Sequence, residues 1–532
     1  MIPRHYRLSF ITAVALLIGQ TISARAEVRL HNLFTDHMVL QRNASVPIWG
    51  WASDGEAVTI EFRGKKASTV ARNGKWMVRL ENLKAGGPDE LKVTGGNSLT
   101  VKNVLVGEVW IASGQSNMEW PMKSSFEPMS DIAAANEPML RLFTVPKLKA
   151  DAPVSNVEAS WQLTSPTSVP TFSAVGYYFG RALQKALGVP VGVIHTSWGG
   201  SPAEVWMREE VLAADPAYRR DIVDIYPGQL KQYQANLATW EKEEAEAKAK
   251  GQEFKKWKPW PSWKPSELYN GMIAPLLPYA IQGAIWYQGE SNAGRAHEYR
   301  RLFADMIRNW RKDWGQGDFP FLAVQLAPFN PVMNQPTNST WAELREAQVL
   351  ATKKLPKVGI AVITDYGNPV DIHPTWKKPV GERLALAARG IAYREKIVYS
   401  GPTYRRMSVD GNTAILTFDH VGAGLTAGFP QESKDKGSSL WEVVQSRQAG
   451  QPDAVVGFEV AGEDRKFVWA KAEIRGKKIA VSSASVAKPV AVRYGWADCP
   501  VVNLFNKDGL PASPFRTDDW PMITAPKSVA TK

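Results

Sequence analysis

Four apolar runs in this chain each lead into a short polar loop, and that repeat constrains the fold more than any other feature. Residues 104–112 lead into Gly114-Gln115-Ser116-Asn117-Met118, and residues 189–195 into Ser197-Trp198-Gly199-Gly200-Ser201. Residues 281–287 are followed by Gln288-Gly289-Glu290-Ser291-Asn292, and residues 358–364 by a loop holding Asp371-Ile372-His373-Pro374. Apolar runs of this length, bounded by turn residues, read as buried strands. A fifth run spans 320–326, and helical patterns cover 173–187, 299–314 and 379–393. Strands alternating with helices predict a three-layer α/β/α domain around a parallel sheet, with its site at the strand ends.

That domain does not account for the whole chain. With 532 residues, two to four domains are expected. Residues 27–103 carry short alternating runs separated by Asp54-Gly55, Asn73-Gly74 and Gly86-Gly87-Pro88, the pattern of a small β-sandwich. The α/β pattern occupies 104–395, interrupted at about 205–268 by a helical insertion whose core, 229–250, is rich in Glu and Lys and reads either as a lid or flap or as a plain solvated charged helix. A Trp/Pro/Lys segment, 257–264, closes the insertion. Strand patterning returns over 396–495, and 496–532 is expected to pack back on the α/β domain.

Residues 1–26 read as a cleaved secretory signal: Arg4 and Arg7, an apolar run at 8–18, then Ala24-Arg25-Ala26. Export to a periplasm or beyond the cell follows, with no stable membrane insertion after cleavage. The net charge of +12 falls to +9 without the leader, 61 basic against 52 acidic residues. The cations are scattered rather than clustered, which argues against nucleic acid and for solubility or attraction to acidic glycans. Cys499 is the single cysteine, so no intramolecular disulfide or Cys-based metal site is expected, and the thiol reads as a small buried apolar group.

A serine lifted from a strand end by a tight turn can serve as a nucleophile if a base reaches it. Ser116 fits that description, although the second glycine of the Gly-x-Ser-x-Gly elbow is absent. Of six histidines after the leader, His373 stands out. It sits in a strand-to-helix loop, and Asp371 lies two residues before it, able to turn back and fix its tautomer. The Gly199-Gly200 pair lets backbone N–H groups approach a ligand, and Gln288 offers a side-chain amide; both suit a developing oxyanion.

Gly-Gln-Ser-Asn-Met-Glu, Trp-Tyr-Gln-Gly-Glu-Ser-Asn and Asp-Ile-His-Pro together resemble the motif blocks of the SGNH (GDSL-like) hydrolases, in their sialate O-acetylesterase-like branch. The segments 36–42, 46–52, 269–276 and 509–518 resemble other parts of that branch, so the likeness covers nearly the whole chain after the leader. It implies Ser116 as nucleophile, His373 as general base and then acid, and Asp371 as the orienting carboxylate. It implies an oxyanion hole from the Ser116 N–H, the Gly200 (or Gly199) N–H and the Gln288 side chain. Two departures stand out: Asp-x-His replaces Asp-x-x-His, leaving Asp365 and Glu290 as substitute carboxylates, and Gln288 replaces an asparagine. Glu290 is expected to brace a loop.

The resemblance implies removal of O-acetyl groups from sugars through an acyl-enzyme, with no metal and no organic cofactor. Acetylated sialic acid is the leading substrate, and acetylated xylan or another plant glycan the alternative. A glycan-binding protein with a spent hydrolase site is the competing class. Among the 21 tryptophans, Trp120, Trp198 and Trp286 adjoin the motif loops and are the expected sugar-stacking rings.

Overall fold

A computed structural model of the chain describes residues 27–430, 439–451 and 453–526; the expected signal peptide lies outside the described residues. The fold is mixed α/β, organised by one large mixed sheet with further β-rich regions on either side. Its centre is six strands in the order Leu140–Thr144, Val191–Ser197, Ser98–Gly114, Gly283–Tyr287, Phe321–Val324, Val358–Ala361, each parallel to its neighbour. All four motif loops therefore leave the same edge of the sheet. Gln162–Leu163 adds a short antiparallel strand at one end.

Side chains alternate across these strands and feed two separate cores. Trp110, Ala112, Ile285, Tyr287, Leu322 and Val324 join the helices Ala174–Leu187 and Lys377–Ile391. Val109, Ile111, Ala284, Trp286, Phe321 and Ala323 face the other way, where Ala296–Trp314 and Thr340–Lys354 pack. Because both faces are covered, the strands read as unbroken apolar runs.

The Ser98–Gly114 strand is 17 residues long and serves two regions. Its first half pairs antiparallel with Gly86–Thr94, which leads through Ala57–Phe62 to Lys65–Val70. Its second half is the middle of the parallel sheet. A second small sheet, Arg29–Leu30, Val46–Trp51 and Lys75–Leu80, closes over the amino-terminal core. Residues on both sides of position 103 therefore share one strand and one apolar cluster.

After Ile391 the described residues form two four-stranded antiparallel sheets and a two-stranded ribbon. The tail enters them, since Leu504–Asn506 pairs with Leu425–Ala427 and Phe515–Arg516 with Ala491–Tyr494. It also ties back to the helix Thr340–Lys354: Arg345 donates to the carbonyls of Ala497 and Asp498, and Arg516 grips Glu346. Cys499 is buried in a small apolar cluster with Phe429, Leu440 and Val444. Among the described residues no helix is long and apolar enough to cross a membrane. The insertion contains a 24-residue helix, Tyr226–Ala249, which buries none of its side chains.

Candidate active site

The turn that carries Ser116 starts at Gly114, whose φ of 140° and close approach to the next strand both exclude a side chain. A Cβ there would lie 2.1 Å from the Tyr287 carbonyl oxygen. Ser116 then opens a one-turn helix, Ser116–Glu119, so its N–H has no acceptor within the helix. From the loop beyond Val358–Ala361, His373 reaches across, and its Nε2 stands 2.9 Å from Ser116 Oγ. The His373 ring lies stacked on Trp120, centroids 5.1 Å apart. Burial lowers the imidazole pKa, the nearby Lys377 cation lowers it further, and Asp371 opposes both. The balance favours the neutral imidazole, whose Nε2 can accept a proton.

Asp371 holds the loop more firmly than the ring. Its Oδ1 accepts the His373 backbone N–H at 2.8 Å, while Nδ1 is 3.5 Å away, too long for a direct hydrogen bond. Both substitute carboxylates are spent elsewhere. Asp365 is buried in a two-pronged pair with Arg383, at 2.7 and 2.6 Å. Glu290 is buried and accepts from Asn117 Nδ2 at 2.7 Å, which ties its loop to the Ser116 turn. A second serine–histidine contact, Ser197 with His195 at 2.5 Å, is buried at the strand end and closed to substrate.

Of the two expected oxyanion glycines, Gly199 has given its N–H to Glu119 Oε2 at 2.6 Å. Gly200, exposed and at φ 75°, makes no such bond among the described residues. Gln288 departs from expectation. It is fully buried, so no water-sized atom reaches it, and its amide donates to Ser201 O at 3.3 Å and Asn292 Oδ1 at 2.6 Å. Tyr299 donates to its oxygen at 2.8 Å. Gln288 is thus a brace beneath the Gly199–Ser201 loop, and its expected place in the oxyanion hole is corrected. Asn292 extends this brace to Glu204, which Arg295 holds from behind.

These loops can be set beside known proteins. A family model described as "carbohydrate esterase, sialic acid-specific acetylesterase" matches residues 246–388. Rat sialate O-acetylesterase is 31% identical over 454 residues, covering 76% of this chain and 81% of the rat protein. The chain belongs to the sialate O-acetylesterase family. It is a carboxylic ester hydrolase of the carbohydrate esterase kind. The human sialate O-acetylesterase is 27% identical over 556 residues, 94% of each chain. A carbohydrate acetylesterase from Xanthomonas citri, known from its crystal structure, superposes with a TM-score of 0.77 at 42% identity. That match covers 93% of this chain and all of the other.

The tryptophans of the esterase divide. Trp120 lies half-buried on the His373 ring, its indole N–H anchored to Ser124 O at 2.8 Å. Trp198 is half-buried beside the glycine pair, with Lys147 and Lys149 over its ring at 5.4 and 5.8 Å. Trp286 is a correction: it is fully buried between Trp206, Trp310 and Phe321, on the far side of its strand. No part of its ring is open to solvent.

The sequence reading missed Lys377 and the part played by Asn117. Lys377 Nζ donates to Asn117 Oδ1 at 2.5 Å beneath the Ser116 turn. Its burial pulls the ammonium pKa down to about 7. Asn117 Nδ2 also donates to the Ile372 carbonyl at 3.0 Å, which links the residue after Ser116 to the residue before His373. Asn117 was visible in the motif as a turn residue. Lys377, the first residue of the helix Lys377–Ile391 and one of a Lys-Lys pair, gave no signal.

Proposed function

We propose that the esterase removes O-acetyl groups from sugars through a covalent acetyl-enzyme on Ser116, in an SGNH-type three-layer α/β/α arrangement. The observation that carries the reading is the 2.9 Å contact between Ser116 Oγ and a neutral, half-buried His373 at the carboxyl edge of the sheet. His373 takes the Ser116 proton as Oγ attacks the acetyl carbonyl, then returns it to the departing sugar hydroxyl. A water, deprotonated by the same imidazole, attacks the acetyl carbonyl, and the imidazolium returns that proton to Ser116 Oγ as acetate leaves. Asp371 acts as the loop anchor and electrostatic partner of the imidazolium. The Ser116 and Gly200 N–H groups receive the oxyanion. This cycle runs on side chains and backbone alone.

The names of the mammalian relatives point to an O-acetylated sialic acid as the sugar. An acetylated plant polysaccharide is the second reading, favoured by the aromatic strap described below. The leader-like residues 1–26 support export to where such glycans occur. The test is acetate release from a chromogenic acetyl ester by the wild type and by Ser116→Ala. A loss of roughly a thousandfold or more is expected, and equal rates would sink the proposal. Acetate release from 9-O-acetyl sialosides and from acetylated xylo-oligosaccharides then decides the sugar.

A further inference from the structure

The segment after the exposed helix Tyr226–Ala249 forms neither helix nor strand from residue 252 to residue 264, yet it is closely held. Trp240 Nε1 donates to the Lys256 carbonyl at 2.9 Å, and Ser262 Oγ to the Gln229 carbonyl at 3.3 Å. Lys256 pairs with both oxygens of Glu243 at 2.8 Å, and Phe254 packs edge-on against Trp240. The strap thus runs antiparallel along the helix. Six strap residues match eleven helical ones, a span of about 16 Å, or about 2.8 Å per residue. That is near the ~3.1 Å rise of polyproline II. Pro259 and Pro261 enforce the same conformation, fixing their own φ and keeping Lys258 and Trp260 extended.

Polyproline II has three residues per turn, and tryptophans stand at 257, 260 and 263. An ideal polyproline II strap with this period carries its three indoles along one side, about 9 Å apart. Trp257 and Trp260 are 94% and 90% exposed, although the helix beside them has no buried side chain and could have covered them. Trp263 leads inward. It meets Trp198 edge-to-face at 5.7 Å, and Trp198 adjoins Gly199, whose Cβ position lies 3.3 Å from Ser116 Cβ. The row of rings therefore ends at the wall of the Ser116 site. Lys147 and Lys149 there are matched by Glu119 and Glu267, so this wall offers little free charge to an acidic sugar.

We propose that the strap is a polysaccharide-binding platform and that the esterase deacetylates sugars within an extended, largely uncharged glycan chain. Flat rings at this interval suit the apolar faces of alternate pyranoses in a β-1,4-linked chain, which present the same side every second sugar. The inference rests on the carbohydrate-ester reading of Ser116 but is tested apart from it. The protein is run on native gels cast with soluble O-acetylated xylan, as the Ser116→Ala form and as that form with Trp257→Ala and Trp260→Ala added. The platform retards the first about tenfold more strongly than the second, two ring contacts of ordinary aromatic strength. Equal retardation overturns the inference. So does loss of binding to phospholipid vesicles with retardation by xylan unchanged, which would make the strap a membrane contact. The two tryptophan changes in the wild-type background are also assayed on a chromogenic acetyl ester too small to reach the strap. A full rate there shows an intact fold, and a wild type without that activity fails the Ser116 reading while the gel still decides the platform.

Discussion

Asn117→Ala cuts the Ser116–His373 pair loose from the network beneath it. Three bonds go at once: to Glu290 Oε1 at 2.7 Å, to the Ile372 carbonyl at 3.0 Å, and from Lys377 Nζ at 2.5 Å. Two of them involve ionisable partners, where a bond is worth about 1.5–3 kcal/mol, and the third is worth about 1 kcal/mol. Stranding a buried charge costs about 3–5 kcal/mol. Burial has already raised the Glu290 pKa and brought Lys377 to about 7, so near neutral pH part of that cost is escaped by proton loss or gain. The expected destabilisation is therefore about 3 kcal/mol, the low end of that range. In a domain of this size it lowers the thermal midpoint by roughly 5 °C. The catalytic consequence is separate. Without the Ile372 tie the His373 loop shifts against Ser116, and a displacement of about 1 Å costs up to a hundredfold in rate.

Residual hydrolysis of a chromogenic acetyl ester after thermal challenge, with fluorophosphonate labelling of Ser116, reads both effects. The expected result is a lower midpoint together with kcat reduced about 10- to 100-fold and KM little changed. Adding Lys377→Met removes the stranded amine, so the double variant recovers about 1–3 kcal/mol relative to the sum of the singles. An Asn117→Ala protein within about 0.5 kcal/mol of the wild type, turning over at the wild-type rate, refutes the account of the network.

Lys377→Met also changes how stability follows pH. The folded protein sheds the Lys377 proton near pH 7, whereas the unfolded chain keeps it to about 10.5, so this group makes stability rise with pH across that window. The thermal midpoint of the wild type should gain on that of the variant between pH 6.5 and 9.5, and a constant difference would contradict the buried-amine assignment. Trp286→Ala should cost about 3–5 kcal/mol as a core cavity with KM for acetylated sugar unchanged in the folded enzyme. A raised KM with unaltered stability would restore Trp286 to the substrate site.

What the sequence revealed follows from where information is local. The strands around Ser116 and His373 were legible because both faces of the sheet are covered and the runs are apolar throughout. The same property misled the reading of side chains, because an unbroken run hides which face each residue takes. Trp286 and Gln288 adjoin a motif loop, yet both are buried, one between helices and one under the Gly199–Ser201 loop. The helix Thr340–Lys354 went unread for a related reason. Its buried side includes Glu343, Arg345 and Gln348, each bonded to a distant loop or strand, so its apolar period is weak. The short strand Leu140–Thr144 buries Arg141 and escaped for the same cause. Polar groups satisfied across long sequence separations leave no periodic trace.

The missing elbow glycine has a structural counterpart. A glycine two residues after such a serine is needed where helix and strand approach closely; here the tightest approach of the turn to its neighbouring strand is at Gly114, before Ser116. Met118 occupies the second position with its side chain in the core and its carbonyl accepting from Ser173 Oγ, the cap of the helix Ala174–Leu187, at 2.6 Å. Gln115 Oε1 accepts weakly from the N–H groups of Gly289 and Ser291, at 3.3 and 3.4 Å. Asn117 ties down Glu290, Ile372 and Lys377. Side chains on both sides of Ser116 thus bind the loops that supply the rest of the site. A turn pinned in this way needs no second glycine, and any substitution that loosens one of its three anchors should misplace Ser116 against His373 before it unfolds the sheet.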